Sequence, residues 1–399
     1  MTIRTTAMRF PIVAAALTIL LIGMWAGLLR LGWNWPAVPV MAIVYHGPLM
    51  VGGFPGTLIS LERAVALRRW WAYGAPLASA AGAITLVAGV DVRWGQYLLL
   101  LASTLLVAVF VRIVCQQRAA FTIVMGLGAA AWLVGNAVWI VQQIIPPAVA
   151  WWMAFLILTI VGERLELSRF LPRTPGRQPT FLAAAGLYLS GVILEVWLPG
   201  LGMTLAGFGM VCLAVWLAVY DLARRTIRQR GLARFAAACL LSGYFWLAAA
   251  GVLSVLYAAV LPVTQGAAWE SVAPGVGLAY DAILHAIFLG FVFAMIFGHA
   301  PIIFPAVLAI RMEYRPRFYA HLGLLQLSVL LRITSDLAGW WAGRQWAGLA
   351  NALAIVLFLA NTLTAVVWPA NPRTCRSSAE TRSDDASPSP TWQRQRSVD

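Results

Sequence analysis

Histidine is scarce in this chain, and three of its four copies lie well inside long apolar stretches. The four are His46, His285, His299 and His321. His285 and His299 share one stretch, and on a helix they would lie near one face, about 21 Å apart. A neutral imidazole is a common ligand of haem iron and of other metal ions. Because a polar side chain inside a membrane indicates a functional site, the pattern predicts metal or haem ligands.

The stretches that carry these histidines are long enough to cross a bilayer. Of the 399 residues, 61% are hydrophobic and 11% are charged, which excludes a soluble protein of this size. Long runs without alternation exclude a β-barrel. We predict an all-α polytopic membrane protein of about twelve transmembrane helices. The predicted spans are 8–30, 36–60, 73–91, 95–115, 119–143, 147–163, 180–198, 201–221, 235–262, 277–305, 318–339 and 346–369.

The formal net charge of +14 indicates an orientation in the membrane and no nucleic-acid partner. Every basic residue is an arginine, and the arginines concentrate in every second loop, as the positive-inside rule requires. This places both termini in the cytoplasm and predicts a multi-pass protein of the bacterial inner membrane, with the lipid bilayer as its solvent. Residues 1–370 form the predicted membrane domain, and 371–399 form a polar, disordered cytoplasmic tail.

A weak internal sequence repeat appears at the ends of the second and sixth predicted spans. Each ends in a Glu-Arg pair, Glu62-Arg63 and Glu163-Arg164, and the tenth span follows at the same interval. This repeat favours three four-helix arcs, with spans two, six and ten lining clefts between them. Adjacent residues do not face each other on a helix, so each glutamate needs a partner from elsewhere. The alternative is that both pairs merely anchor helix ends at the cytoplasmic face.

His46 and His285 lie at similar depths, in the outer parts of spans two and ten. His46 is followed by several glycines and by Pro48, which predicts that a neighbouring helix or a flat ligand such as a haem edge approaches this helix closely. Asp281, one turn before His285, could hold its second ring nitrogen. The alternatives are a His46 that only bonds across a helix interface, and an Asp281 that only faces water.

The inner histidines, His299 and His321, could pair as a second site, although His321 also suits an ordinary interfacial position. Two imidazoles on facing helices suit the two axial positions of a haem iron, whereas zinc would need three or four ligands. Haem b is therefore the predicted cofactor, with His46, His285 and His299 as candidate haem ligands. Copper remains open if His299 and His321 gain a third ligand.

The stretch His46-Gly47-Pro48-Leu49-Met50 resembles the HGxxM motif in the second helix of haem-copper oxidase subunit I. In that family the histidine ligates a low-spin haem, and further haem ligands come from the tenth helix. The chain also resembles the NnrS family of bacterial membrane haem and copper proteins linked to nitric oxide. Residues 147–198 contain no histidine for an oxidase-type copper site. The NnrS resemblance therefore implies a haem protein without oxygen reduction.

These observations predict a membrane haem protein, with or without copper, in nitric-oxide or respiratory redox metabolism. The resemblance implies a diatomic ligand such as nitric oxide, and a respiratory-chain partner. Two other functions stay open from the sequence. A secondary transporter of a small solute would also have broken, glycine-rich spans. A scaffold of a respiratory complex would keep its stability without its histidines.

Overall fold

The computed structural model describes residues 8–171, 175–264 and 274–367, and every regular element in these ranges is a helix. The predicted cytoplasmic tail, 371–399, lies outside the described residues. The helices are α1 (Arg9–Arg30), α2 (Val40–Leu67, in four consecutive pieces), α3 (Gly74–Val87), α4 (Val92–Gln116), α5 (Ala120–Gln142), α6 (Pro146–Ser168), α7 (Arg177–Leu194), α8 (Pro199–Tyr220), α9 (Leu232–Thr264), α10 (Pro274–Leu308, in three pieces), α11 (Phe318–Leu337) and α12 (Trp341–Val367). Single helical turns at Trp70–Tyr73 and Ala223–Thr226 lie between them.

Eight of these helices are long and apolar enough to cross a membrane, consistent with a multi-pass membrane protein. They are α1, α4, α5, α6, α8, α9, α10 and α12. Of the others, α2 is divided into short pieces and α3 has 14 residues. The predicted helix positions agree with the structure, but the count of twelve crossings is not confirmed.

The centre of the described structure contains α2, α6 and α10. Neighbouring helices along the chain pack in pairs, such as α5 on α6 and α8 on α9. Most of α6 is enclosed, with 83% of its apolar window buried, whereas α4 has 33%. A helix that is apolar on every side belongs in such a core, and α6 is nearly all Ala, Ile, Leu, Phe and Trp between Ala148 and Val161.

Both α2 and α10 change from α-helical to π-helical geometry directly beyond a histidine. The π-helical segments are Leu49–Gly56 in α2 and Ala286–Phe293 in α10. They face each other, because Phe54 stacks on Phe293 with ring centroids 5.9 Å apart. In α2, Pro48 and Pro55 lack the amide hydrogens that a regular ladder needs, as the sequence predicts. π-Helical segments inside longer helices often mark functional sites.

The glycines of the α2 segment do not form an open groove. A Cβ at Gly53 would lie 2.7 Å from Ile19, and a Cβ at Gly56 would lie 2.7 Å from Trp132. Protein side chains from α1 and α5 therefore fill the space that the missing Cβ atoms leave. Of the two expectations from the small residues, the structure shows a close protein neighbour and no room for a flat ligand at these two positions.

The last part of α10 contains two prolines. Proline inside a helix removes a backbone hydrogen bond, but α10 continues through Pro301 and Pro305 and ends at Leu308. Ala309 then adopts left-handed geometry, with φ of 56°. Prolines are tolerated in membrane helices when neighbouring groups satisfy the freed backbone carbonyls.

Candidate functional site

His46 is seated against α1. Its Nδ1 donates a hydrogen bond to the carbonyl oxygen of Gly23 over 2.7 Å, which fixes the tautomer. A Cβ at Gly27 would lie 2.8 Å from Cε1 of the ring. Gly23 and Gly27 are one turn apart, so α1 presents a small-residue surface that receives the imidazole.

His285 is held in the same way from within α10. Its Nδ1 donates to the backbone carbonyl of Asp281 over 2.8 Å, and the Asp281 carboxylate Oδ2 lies 3.4 Å from the same nitrogen. The sequence predicted that the Asp281 carboxylate could hold this ring, and the carboxylate does lie beside it. The closer acceptor, however, is its carbonyl and not its carboxylate.

The two imidazoles lie in the same region, and in both rings Nε2 is the nitrogen that makes no hydrogen bond. His46 lies close enough to His285 and Asp281 to interact with both electrostatically. With Nδ1 protonated, Nε2 of each ring carries a lone pair. Neither Nε2 has a hydrogen-bond partner within the described residues. Each imidazole therefore has one ring nitrogen held by a backbone carbonyl and one ring nitrogen with no hydrogen-bond partner in the described part of the chain.

Around His285, charges from three helices form what we call the outer cluster: Asp281, His285, Arg332, Asp336 and Arg344. The Asp281 carboxylate accepts from Arg332 over 2.6 Å and from Arg344 over 2.7 Å. Asp336, whose side chain is fully buried, lies 3.1 Å from Arg332 and 2.8 Å from Arg344. Two carboxylates and two guanidinium groups therefore alternate in a closed, balanced network that joins α10, α11 and α12.

Asp281, His285 and Asp336 place potential ligand atoms within 4.8 Å of one another, and they are the only such trio in the described part of the chain. Arg332 and Arg344 already hold both carboxylates. A metal ion would have to displace two buried ion pairs, so this trio is better explained as a structural network than as a metal site.

A second set of charges, the inner cluster, lies at the other end of the central helices. Its members are Glu62, Arg63, Glu163, Arg164, Asp221 and His299. Arg63 on α2 forms an ion pair with Glu163 on α6 and lies 3.4 Å from Glu62 on its own helix. The Glu-Arg pairs of the second and sixth spans therefore contact each other through Arg63 and Glu163.

Arg164 makes the second link of the inner cluster. Its Nε and Nη2 donate to the two carboxylate oxygens of Asp221 over 2.8 and 2.9 Å, and both side chains are buried. Its Nη1 donates to Nε2 of His299 over 3.2 Å, while Nδ1 of His299 donates to the Met295 carbonyl. Both nitrogens of His299 are therefore engaged, and this arrangement leaves neither for the predicted haem or copper role.

His321 occupies a different environment, with 1% of its surface exposed. Its Nδ1 accepts from the amide of Asn361 over 3.1 Å, and its Nε2 has no partner. Phe235, Phe297, Phe318 and Phe358 surround the ring. The structure thus gives His299 and His321 separate partners instead of the predicted shared metal site, because aromatic packing encloses His321.

Several functional candidates escaped the sequence analysis: Asp221, Arg332, Asp336 and Arg344. A signal for two of them was present, because Arg332 and Asp336 stand four residues apart inside the predicted span 318–339. Charged residues in a membrane span indicate function by default. Asp221 and Arg344 gave no comparable signal, since both fall at predicted span ends where charges are ordinary.

A cavity of about 110 Å³ lies between α1, α2, α6 and α10, beside the inner cluster. Most of its wall is aliphatic, and its polar members are Glu62, Thr159, Glu163 and His299. Thr159 is 1% exposed, and its hydroxyl has no hydrogen-bond partner. Spans two, six and ten, which the sequence predicted to line clefts between three arcs, contribute residues to this one cavity together with α1.

A family model described as a domain of unknown function (DUF8744) matches residues 9–367. The match covers almost all of the helical region, so the chain belongs to this family. No curated protein matches the chain.

Proposed function

We propose that this DUF8744 protein is a membrane haem protein in which His46 and His285 ligate one b-type haem. The observation that carries the proposal is the pair of imidazoles described above, each with Nδ1 bound to a backbone carbonyl and Nε2 free. Histidines that ligate metals commonly donate their other ring nitrogen in this way, which fixes the ligating atom.

The residues present fit such a group in donor chemistry. His46 and His285 would hold the haem iron through their Nε2 atoms, and the bound group would supply exchange of single electrons. The protein's own contribution is orientation. Gly23 fixes the His46 ring against α1, and the outer cluster fixes the α10 turn from which His285 projects.

The wider proposal follows the resemblance of residues 45–63 and 281–305 to the NnrS family. It comprises twelve crossings in three arcs, both termini in the cytoplasm, residence in the bacterial inner membrane, and nitric-oxide or respiratory redox chemistry. Support for the arcs comes from the burial of α6 and the contact between the π-helical segments. The structure favours His46 and His285 over His299 and His321 as ligands.

The test is a dithionite-reduced-minus-oxidised spectrum of the purified full-length protein in detergent. We expect a b-type signal that is absent from His46→Ala and from His285→Ala. His299→Gln is the matched control and should keep the signal, because His299 is bound to Arg164 and Met295. A wild-type protein without haem would overturn the proposal. Loss of the signal only in His299→Gln would show that His299, and not His46 or His285, is the haem ligand.

A secondary transporter is the second candidate, and one specific observation favours it. The inner cavity lies between helices whose π-helical segments interrupt regular geometry, as the discontinuous helices of carriers do. A carrier would show no haem spectrum and would move solute into proteoliposomes. The spectrum above therefore separates the two candidates before any substrate is known.

A further inference from the structure

The inner cluster has one more carboxyl group than it has arginines. Glu62, Glu163 and Asp221 supply three carboxylates, whereas Arg63 and Arg164 supply two guanidinium groups. Arg164 is committed to Asp221 through two hydrogen bonds. Arg63 makes its closest contact with Glu163, which leaves Glu62 with a single contact of 3.4 Å.

Glu62 and Glu163 both line the cavity. Arg63 holds Glu163, whereas Glu62 has 29% of its side chain exposed and is the carboxylate left to meet a ligand. The nearby charged and titratable groups are Arg63, Glu163 and His299. Arg9, on α1, does not line the cavity, and it donates to the Tyr73 hydroxyl and the Val307 carbonyl.

The remaining wall specifies the rest of the ligand. Apolar side chains from three helices form this wall: Pro55, Leu58 and Ile59 of α2, Leu156 and Ile160 of α6, and Ile296, Ile303 and Phe304 of α10. Such a surface stabilises an apolar body but offers it no hydrogen bonds. A charged group in this setting needs an opposite charge, because an unpaired ion away from water is costly.

We propose that the inner cavity binds a small organic cation, with its ammonium group on Glu62 and its apolar body between α2, α6 and α10. The site is separate from His46 and His285 and does not rest on the haem proposal. A hydrogen bond to a charged group contributes roughly 1.5–3 kcal/mol, which corresponds to about tenfold or more in affinity.

Three probes of one chain length test the charge requirement: n-hexylammonium, n-hexanol and n-hexanoate. Binding to the full-length protein in nanodiscs is measured by equilibrium dialysis, with empty nanodiscs as the partition blank. We expect hexylammonium to bind about tenfold more tightly than hexanol, and hexanoate to bind least. Equal binding of hexylammonium and hexanol would overturn the proposal and indicate a neutral occupant such as a lipid chain or a quinone.

Variants assign the charge to Glu62. Glu62→Gln should bind hexylammonium no better than hexanol, while unchanged hexanol binding shows that the cavity is intact. Glu166→Gln is the matched control. Glu166 lies on α6 close to Glu163, but it pairs with Arg169 outside the cavity. Ala300→Leu, which fills the cavity, should weaken both probes. A preference for hexylammonium that survives Glu62→Gln would refute the assignment.

Discussion

The outer and inner clusters each consist of carboxylates, arginines and one histidine, but they differ in the ratio of carboxylates to arginines. In the outer cluster two aspartates alternate with two arginines, so every charge has an opposite neighbour. In the inner cluster three carboxylates share two arginines. The outer network can therefore hold α10 to α12 without a ligand, whereas the inner one leaves Glu62 for a cation.

The histidines follow the same division. In the outer region His46 and His285 bond through Nδ1 to backbone carbonyls and keep Nε2 free. In the inner region the Nε2 of His299 accepts from Arg164. A balanced cluster near the outer histidines means that their free nitrogens are not needed to satisfy local charges. This difference is why we assign metal ligation to one pair only.

The largest expected effect of a substitution is at the buried pair of the inner cluster. Asp221→Asn would leave Arg164 enclosed with no carboxylate, and breaking a buried ion pair costs about 3–5 kcal/mol. We expect a large fall in the unfolding midpoint in detergent, measured by intrinsic tryptophan fluorescence. Glu166→Gln removes only an exposed contact of 3.5 Å and should shift it little. Equal midpoints for both variants would refute the ranking.

The outer cluster should tolerate the corresponding change better. In Asp281→Asn, Arg332 and Arg344 keep Asp336 as a partner, so we expect a loss of roughly 2 kcal/mol. The His285 ring should keep its orientation, because its closest acceptor is the backbone carbonyl of Asp281. The haem signal should then persist in Asp281→Asn although it disappears in His285→Ala. Loss of the signal in both would show that the carboxylate is the orienting group.

The packing of the His46 ring against α1 is tested by Gly27→Ala. The added Cβ would lie 2.8 Å from Cε1 of the imidazole, so the ring must move. We expect haem occupancy, measured as the Soret-to-protein absorbance ratio, to fall about tenfold if Nε2 loses its position. Gly186→Ala is the control, since a Cβ there meets nothing within 4 Å. Full occupancy in Gly27→Ala would mean that His46 is not a ligand.

The sequence predicted the helices better than their contacts. Runs of apolar residues locate helices such as α1 and α5 to within a few residues, because bilayer thickness sets their length. The internal repeat predicted that spans two and ten lie close together, and the stacking of Phe54 on Phe293 agrees with this. The ion pairs of Arg332 and Arg344 could not be predicted in this way, because helix rotation and tilt decide which charges meet.

The glycines of α2 show why a local pattern can mislead. A glycine face indicates that something approaches closely, but it does not distinguish a ligand from a protein neighbour. At Gly53 and Gly56 the neighbours are Ile19 and Trp132. The distinction needed the positions of α1 and α5, which residues 47–56 do not encode.

The smallest predicted effect lies between the two clusters, in the π-helical segment of α2. Ser79 on α3 donates to the Gly52 carbonyl over 2.7 Å and is buried. Ser79→Ala should cost about 1 kcal/mol and increase amide exchange across Leu49–Gly56, because a buried carbonyl loses its donor. In Ser242→Ala the lost bond is to Cys239 of the same helix, so exchange in α2 should not change. If exchange stays slow in Ser79→Ala, the packing of Leu99 and Ile19 alone holds the π-helical geometry, and the two ends of α2 are then coupled through side-chain contacts instead of that hydrogen bond.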